Sequence, residues 1–529
     1  MHKYIHYGHI CTDLLGNANW DDMWYLDDAT FAGPPETVLE DLKKVIDLSK
    51  KAGLQLNPQK CEYKILGPDN ATLKENIKSE LEKITPGIRE ILNDNAVLLG
   101  CPLTDETIEP FLQRKFDQLD LFASRLRNIS SHCAYYLLKH SLTIPRLNYF
   151  LRCCPVWKKV DLLRIYDQKI TLILEETLNC NLSREACLQS SLPVKMGGLG
   201  IRNAAKLAIP SFLASFYSIL ELHKSLLADL KEVNTSILTE ASQIWLTETE
   251  SPYPEDHCKQ FQKHWELPYY ARTINELEHL INNNSIATAR WLASKTPQSS
   301  AWLNALPSPQ LGTFLNNETF RIACALRLGV KICHSHKCIC GETVDEYGLH
   351  GLSCRRQKGR VSRHAAGNDI IARALRTADI PSLLEPTGIS RTDGKHPDGM
   401  TLIPWKNGKC LLWDFTCVDT YCHSYINQTS IRSGAAAGQA EVKKQRKYST
   451  LQSNFLFVPV AVETSGCWGS EAMKFIRSIG MKITQSTDEP RAISFLFQQL
   501  SIAIQRGNAA SVLGTFPSSK CLAEIFYLS

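Results

Sequence analysis

Four residues able to bind a metal through sulfur or nitrogen crowd into one stretch of this chain. They are Cys338, Cys340, His350 and Cys354 in HKCICGETVDEYGLHGLSC. Thiolates and an imidazole on one compact loop match the four-coordinate donor set of structural zinc sites. Cys338 and Cys340 are one residue apart, tighter than the usual spacing of two to four, and Gly341 and Gly348 would ease the turns. Cys333, His334 and His336 compete for a place in the set. The alternative is a scatter of reduced cysteines in a cysteine-rich chain.

The other cysteines constrain the compartment. There are 19, an odd number, and the opening MHKYIHYGHICTDLLG has no apolar core of a secretory signal. Most therefore read as reduced, small, buried side chains of an intracellular protein, and a nuclear one is expected. The longest apolar run, Phe455 to Val462, is far too short for a membrane span, so no membrane partner is expected. A chain of 529 residues exceeds what one core usually organises, so several domains are expected. The net charge of +5 is too small to decide for a polyanionic partner, which leaves local charge to carry that question.

Hydrophobic periodicity divides the chain. Residues 20–103 alternate strand-like and helix-like patterns. WYLDDATFAG reads as a tight hairpin, ETVLEDLKKVIDLSKKAG as a helix stopped by Gly53, and LQLNPQKCEYKILG as strand, turn and strand. From about 110 to 240 apolar residues recur at spacings of three and four, interrupted at Pro145, Pro155 and the Gly197, Gly198, Gly200 turn. Residues 240–310 carry prolines at 252, 254, 268, 297, 307 and 309 and read as helical connecting material without assignable ends. The remainder is mixed α/β.

Two acidic constellations stand out. Asp27 and Asp28 lie at the tip of the predicted hairpin, where like charges repel unless a cation sits between them. A divalent ion there would position a nucleotide triphosphate, and a solvated turn is the alternative. In the second, Asp398 heads a strand, a Lys406-Asn407-Gly408 turn returns the chain, and LLWDFT places Asp414 between apolar neighbours. An acid in such a strand needs a partner charge or a metal. Two acids on paired strands can clasp one Mg²⁺; the alternatives are a simple Pro-Asp-Gly turn for Asp398 and a hydrogen-bonded strand acid for Asp414. The run RRQKGRVSRH carries Arg355, Arg356, Lys358, Arg360 and Arg363 without an acid; such a run is ordinarily a solvated face, and its place between the Cys/His cluster and the second acidic pair favours phosphate contact.

Taken in order, these motifs resemble the C-terminal part of a reverse transcriptase from a non-LTR retrotransposon joined to a restriction-like endonuclease. YLDD matches that family's catalytic loop at Tyr25, Leu26, Asp27 and Asp28. The next block matches Gly53, Leu54, Leu56, Asn57 and Lys60, and the primer-gripping turn falls near Leu99, Gly100 and Pro102. SLPVKMGGLGIRNAAKLAIPSFLASF is similar to the thumb of the same elements, and the Cys-Cys-His-Cys cluster to their zinc knuckle. Asp398 and Asp414 resemble the two acids of the PD-(D/E)XK nuclease core. Thr416 stands where the core pattern has its lysine. The resemblance implies that Lys444 or Lys447, on the following helix, takes that role with Tyr448 assisting, Lys443 being a further candidate. Glu385 is a possible upstream acid, and Arg363, His364 and Asn368 match the basic helix that opens the domain. The family also has a third polymerase aspartate on an upstream strand, which CTDLLGNANWDD does not resemble. The polymerase module therefore reads as N-terminally truncated and inactive.

The expected architecture is multidomain, α/β and α. It comprises a palm remnant of α+β type (1–108), a helical thumb (109–240), a helical connector (241–330), a zinc knuckle (331–360) and a restriction-endonuclease-like α/β domain (361–529). The expected function is binding of target DNA and element RNA with Mg²⁺-dependent nicking of DNA. Mg²⁺ and Zn²⁺ are the implied cofactors, and dNTPs would be substrates only of a working polymerase. The alternative is a catalytically inactive, domesticated nucleic-acid-binding protein, or a relic.

Overall fold

The computed structural model describes residues 21–25, 28–65, 71–91, 96–226, 236–356, 359–389 and 396–516. The protein is mixed α/β, mostly helical and multidomain. Two compact units emerge: residues 1–114 with 218–239, and residues 115–217 with 240–529. The sequence boundaries near 240, 330 and 360 thus fall at the edge of, or within, the second unit.

In the first unit, β1 (Asp21–Tyr25) and β2 (Asp28–Ala32) pair antiparallel, with Tyr25 opposite Asp28. The hairpin read from WYLDDATFAG is present, although Asp27 lies outside the described residues. The helix Pro35–Lys51 follows and ends before Gly53, whose positive φ turns the chain. The predicted strand at residues 54–57 does not form. Asn57 instead accepts the Gln59 N–H at 3.1 Å and caps a short 3₁₀ turn, Pro58–Lys60. Proline offers no ladder donor there, so strand pairing begins only at β3 (Glu62–Tyr63), which pairs parallel with β4 (Arg89–Glu90). β5 (Val97–Leu98) and β6 (Cys101–Pro102) form a hairpin whose turn is Leu99-Gly100.

The second unit contains the helical middle of the chain. Pro145 lies in the first turn of Ile144–Cys153, where its missing N–H costs nothing, while Pro210 and Pro268 are accommodated inside Ala204–Leu226 and Gln262–Ile281. The irregular connector is therefore three helices, Ser236–Thr249, Gln262–Ile281 and Ser285–Ser294, followed by a 3₁₀ segment. Trp245 and Trp265 pack edge to face at 5.1 Å and anchor it. No described helix is long and apolar enough to cross a membrane.

A small hairpin, β7 (His336–Lys337) with β8 (Thr343–Val344), leads into the part that frames the candidate site. There the sheet order is β12-β11-β10-β9, formed by β9 (Ser382–Leu384), β10 (Gly399–Thr401), β11 (Leu411–Val418) and β12 (Leu456–Glu463). β11 runs antiparallel to β10 and parallel to β12, and the helix Ala435–Lys447 makes the crossover between the parallel pair. β11 is apolar nearly throughout because both faces are covered. Leu411, Trp413 and Phe415 join one core with Ile371, Leu375, Phe475, Ile476 and Leu500 from three helices. Leu412 turns the other way, to Tyr448 and Phe457. A period of two therefore sends Asp414 to the same face as Leu412.

His132 tests the helical core. It is buried, its Nδ1 accepts the Leu315 N–H at 3.1 Å, and it stacks on Phe320 with ring centroids 4.8 Å apart. Burial pushes its pKa down to about 4. The folded state then binds fewer protons than the unfolded chain. The stabilisation is complete above the ordinary histidine pKa of ~6.5 and is lost progressively as the pH falls towards the folded value. Denaturant unfolding should show His132→Gln losing about 2 kcal/mol less than the parent between pH 7.5 and 5. Parallel pH profiles for the two proteins would contradict the assignment.

Candidate metal centres

Two groups of side chains among the described residues bring metal-ligand atoms within 4.8 Å of one another. The first is Cys338, Cys340, His350 and Cys354, the set read from the sequence. Cys338 immediately follows β7, and its N–H donates to the Glu342 carbonyl at 2.9 Å, folding Cys340 back. His350 opens a one-turn helix that delivers Cys354. The Cys340 Sγ lies 3.2 Å from His350 Nε2, and the Cys338 and Cys354 sulfurs are 3.8 Å apart. A hydrogen bond from the Glu342 backbone brings the Cys340 thiol down to about 7, where thiolate, the ligand form, is accessible at neutral pH.

The rival ligands are engaged elsewhere. Cys333 faces the carbonyl oxygens of Asp345 and Glu346 and is pushed up to about 12 by burial. His336 reaches the Thr515 hydroxyl at 2.9 Å and stacks on Phe516. Neither these two nor His334 belongs to the four-atom cluster.

The second group is His364, Asp398 and Asp414. Asp398 immediately precedes β10, and its N–H donates to the Trp413 carbonyl at 3.0 Å. Its carboxylate Oδ2 accepts the Phe415 N–H at 2.6 Å and lies 3.0 Å from His364 Nε2. Burial opposes ionisation of Asp398, but the hydrogen bond and charge of His364, with Asn368 and the Phe415 N–H, hold the carboxyl below its usual range. His364 is raised in turn, first by its hydrogen bond to Asp398, against the effect of burial.

The helix Gly359–Thr377 supplies His364 and can do so because Gly367 meets the Phe415 ring. A Cβ at that position would approach the ring to 2.6 Å. Gly399 likewise sits beneath Trp413, where a Cβ would come within 2.1 Å of the indole. Trp413 Nε1–H donates to Asn368 Oδ1 at 3.0 Å, and Asn368 Nδ2 lies 3.4 Å from His364 Nδ1. Donation from Asn368 to the neutral ring places the His364 proton on Nε2, facing Asp398.

Asp414 is buried and meets two cations. Lys444 Nζ contacts its Oδ1, and Lys447 Nζ lies 3.7 Å from its Oδ2. Lys447 also donates to the Tyr448 hydroxyl at 2.8 Å, and that hydroxyl donates to the His396 carbonyl at 2.9 Å. Lys443 points away and bonds the Tyr425 hydroxyl at 3.1 Å. Two buried glutamates fix the lysine helix. Glu463 accepts the Ala436 and Ala437 N–H groups at 3.0 and 3.4 Å, and Glu441 accepts the Ala472 N–H at 2.9 Å. Burial raises both carboxyls.

The basic run does not act as one face. Arg355, Arg356 and Arg360 are exposed, and Lys358 lies outside the described residues. Arg363 is buried, its guanidinium donating to Asn508 at 2.9 Å and to Ser511 at 3.2 Å, so the expectation that it meets phosphate is corrected. Adjacent residues on a helix project about 100° apart, so Arg363 and His364 face different sides, which a reading of net basicity cannot register. Glu385 is exposed, donates its N–H to the Asp398 carbonyl at 2.8 Å and is not part of the carboxylate cluster. His364 and Asn368 were legible only as part of a basic helix. Their spacing of four, which puts both on one helix face, was the available signal of a shared role. The side chains of Asp27 and Asp28 lie outside the described residues.

Fold and geometry thus define a multidomain α/β protein with a Cys/His cluster and a carboxylate cluster. The chain is similar to a retrotransposon protein: it is 21% identical, over 510 residues and 92% of its length, to the retrotransposable element SLACS 132 kDa protein of Trypanosoma brucei gambiense. The match takes in 36% of that protein, so the chain spans about a third of its relative. No protein-family model matches.

The donor set of the first cluster suits zinc. Metal analysis of purified protein should find about one zinc per chain bound there. Cys340→Ser should release it and expose residues 333–356 to proteolysis. Well-folded protein without zinc would contradict the assignment.

Proposed function

We propose that the protein is a retrotransposon-derived nuclease that nicks DNA by metal-dependent phosphodiester hydrolysis. The observation that carries this reading is the convergence of Asp398, Asp414 and Lys444 from a strand head, a strand centre and the crossover helix onto one side of the sheet. Two carboxylates with oxygens this close fit a single divalent ion, and Mg²⁺ favours such oxygen donors. When bound, the ion would lower the pKa of a water and shield the scissile phosphate. His364 holds Asp398 in the orientation that serves this, and Asn368 holds His364. Lys444, which contacts Asp414, is the favoured partner of the phosphate's developing charge. Lys447, bonded to Tyr448, braces the same helix.

The exposed arginines 355, 356 and 360, beside the Cys/His cluster, supply phosphate contacts that bring the duplex to the site. The relation to a retrotransposon protein supports a role in which nicking exposes a 3′ end for copying element RNA. The site would work in the nucleus, where target DNA lies.

Plasmid nicking tests the reading. Protein with Mg²⁺ should convert supercoiled to open-circular DNA, and Asp398→Ala or Asp414→Ala should abolish conversion while leaving duplex affinity within a few-fold. Lys444→Gln should slow nicking by ~100-fold or more, comparable to loss of one electrostatic donor, and Lys447→Gln by less. Duplex affinity should fall steeply with salt, and more gently after Arg355→Ala with Arg360→Ala. Undiminished nicking by both aspartate variants would show the site to be misassigned. A parent that binds duplex DNA but nicks it with no divalent ion would leave an inactive DNA-binding protein as the function.

A further inference from the structure

Away from both metal-ligand clusters, a cavity of about 30 Å³ lies where the helical connector meets the sheet-bearing part of the second unit. Its wall includes two arginines, Arg290 from the helix Ser285–Ser294 and Arg327 from the helix Asn317–Leu328, and no aspartate or glutamate. Arg327 is 8% exposed. Its Nη2 donates to the Gly198 and Ser294 carbonyls at 3.3 and 3.1 Å and to the Ser300 hydroxyl at 2.8 Å, all neutral acceptors. Its Nε–H is buried without a partner. Arg290 faces the Gly329 backbone so closely that a Cβ there would meet its guanidinium carbon at 1.9 Å.

The remaining wall has polar members: Thr464, Ser465 and Asn508 donate to Asp419, Glu463 and the Thr464 carbonyl, and Tyr421 lies near Arg290. Two acids in the segments that end β12 and follow β11 are already engaged. Glu463 accepts from Thr420, Ser465 and two backbone N–H groups, and Asp419 accepts from Thr464 and the Tyr421 N–H. Glu185 feels Arg290 but does not line the cavity.

The buried Arg327 guanidinium, sharing the cavity wall with the partly buried Arg290 and no carboxylate, carries a desolvation cost. A buried N–H donor with no acceptor adds to it. An anion in the cavity would offset these costs. Its volume exceeds the ~10–15 Å³ needed for a single water and is too small for a phosphate ester with its substituents. We propose that this cavity is a binding site for a small monovalent inorganic anion of the halide class, held by Arg290 and Arg327. The ion ties the connector helices to the loop after β11, which carries Tyr421, and to the residues after β12. Stability of the protein then depends on which anion is present, apart from ionic strength.

The test compares thermal unfolding of the full chain in sodium chloride and in sodium gluconate at equal ionic strength, gluconate being too large to enter. Chloride should raise the midpoint by about 3 °C or more, with a saturating concentration dependence. Arg290→Gln, which removes one cation without breaking any of the hydrogen bonds of Arg327, should abolish the difference. Arg327→Met is the stricter variant, and Arg290→Gln keeps the test decisive if Arg327→Met does not fold. Crystals grown with bromide should show anomalous scattering in the cavity. Equal midpoints in the two salts, or an unchanged difference in Arg290→Gln, would overturn the proposal. A bromide peak without a solution effect means binding at crystal concentration only and overturns it as well.

Discussion

The contact between Lys444 and Asp414 is the interaction around which the sheet-bearing part of the protein is arranged. Asp414 sits in the middle of a strand whose neighbours are all buried, on a face closed by the crossover helix. A carboxylate there is tolerated only with a cation beside it, and removing one partner of such a pair typically costs ~3–5 kcal/mol. The helix must therefore present its lysines to that strand. Glu463, at the far end of the neighbouring parallel strand, caps the helix N-terminus and fixes its rotation. The negative end-charge suits the positive end of the helix dipole, which offsets part of its burial.

The same logic extends across the sheet. Asp398 reaches the Phe415 N–H, one residue beyond Asp414, so the two acids are linked through one strand's backbone. His364 and Asn368 reach them because Gly367 lets the helix Gly359–Thr377 lie against Phe415. Packing and chemistry are thus one arrangement. A side chain at position 367 would push the histidine away without touching a carboxylate.

Much of this was legible in the sequence where local rules govern. The apolar run LLWDFT with its single acid, the Lys406-Asn407-Gly408 turn and the order acid, acid, lysine helix follow from neighbours in the chain, and the structure reproduces the turn and the strand. The four-residue Cys/His set was legible because its members are sequence-local. What escaped depended on distance. Arg363 looked like its exposed neighbours until Asn508 and Ser511, far along the chain, were seen to hold it. Residues 54–57 had a strand's pattern but lost it to the cap by Asn57. The arginine-lined cavity had no sequence signal, since Arg290 and Arg327 come from separate helices and share only a void.

The central claim is that Asp398 and Asp414 together hold one divalent ion. Mn²⁺, a spectroscopically visible substitute for Mg²⁺, tests it without requiring turnover. Titration followed by electron paramagnetic resonance, after the Cys/His cluster has been saturated with zinc, should reveal one Mn²⁺ site per chain that Mg²⁺ displaces. Asp414→Asn and Asp398→Asn should each lose that site while leaving the fold intact. Mn²⁺ binding of unchanged stoichiometry and affinity in both variants would contradict the account.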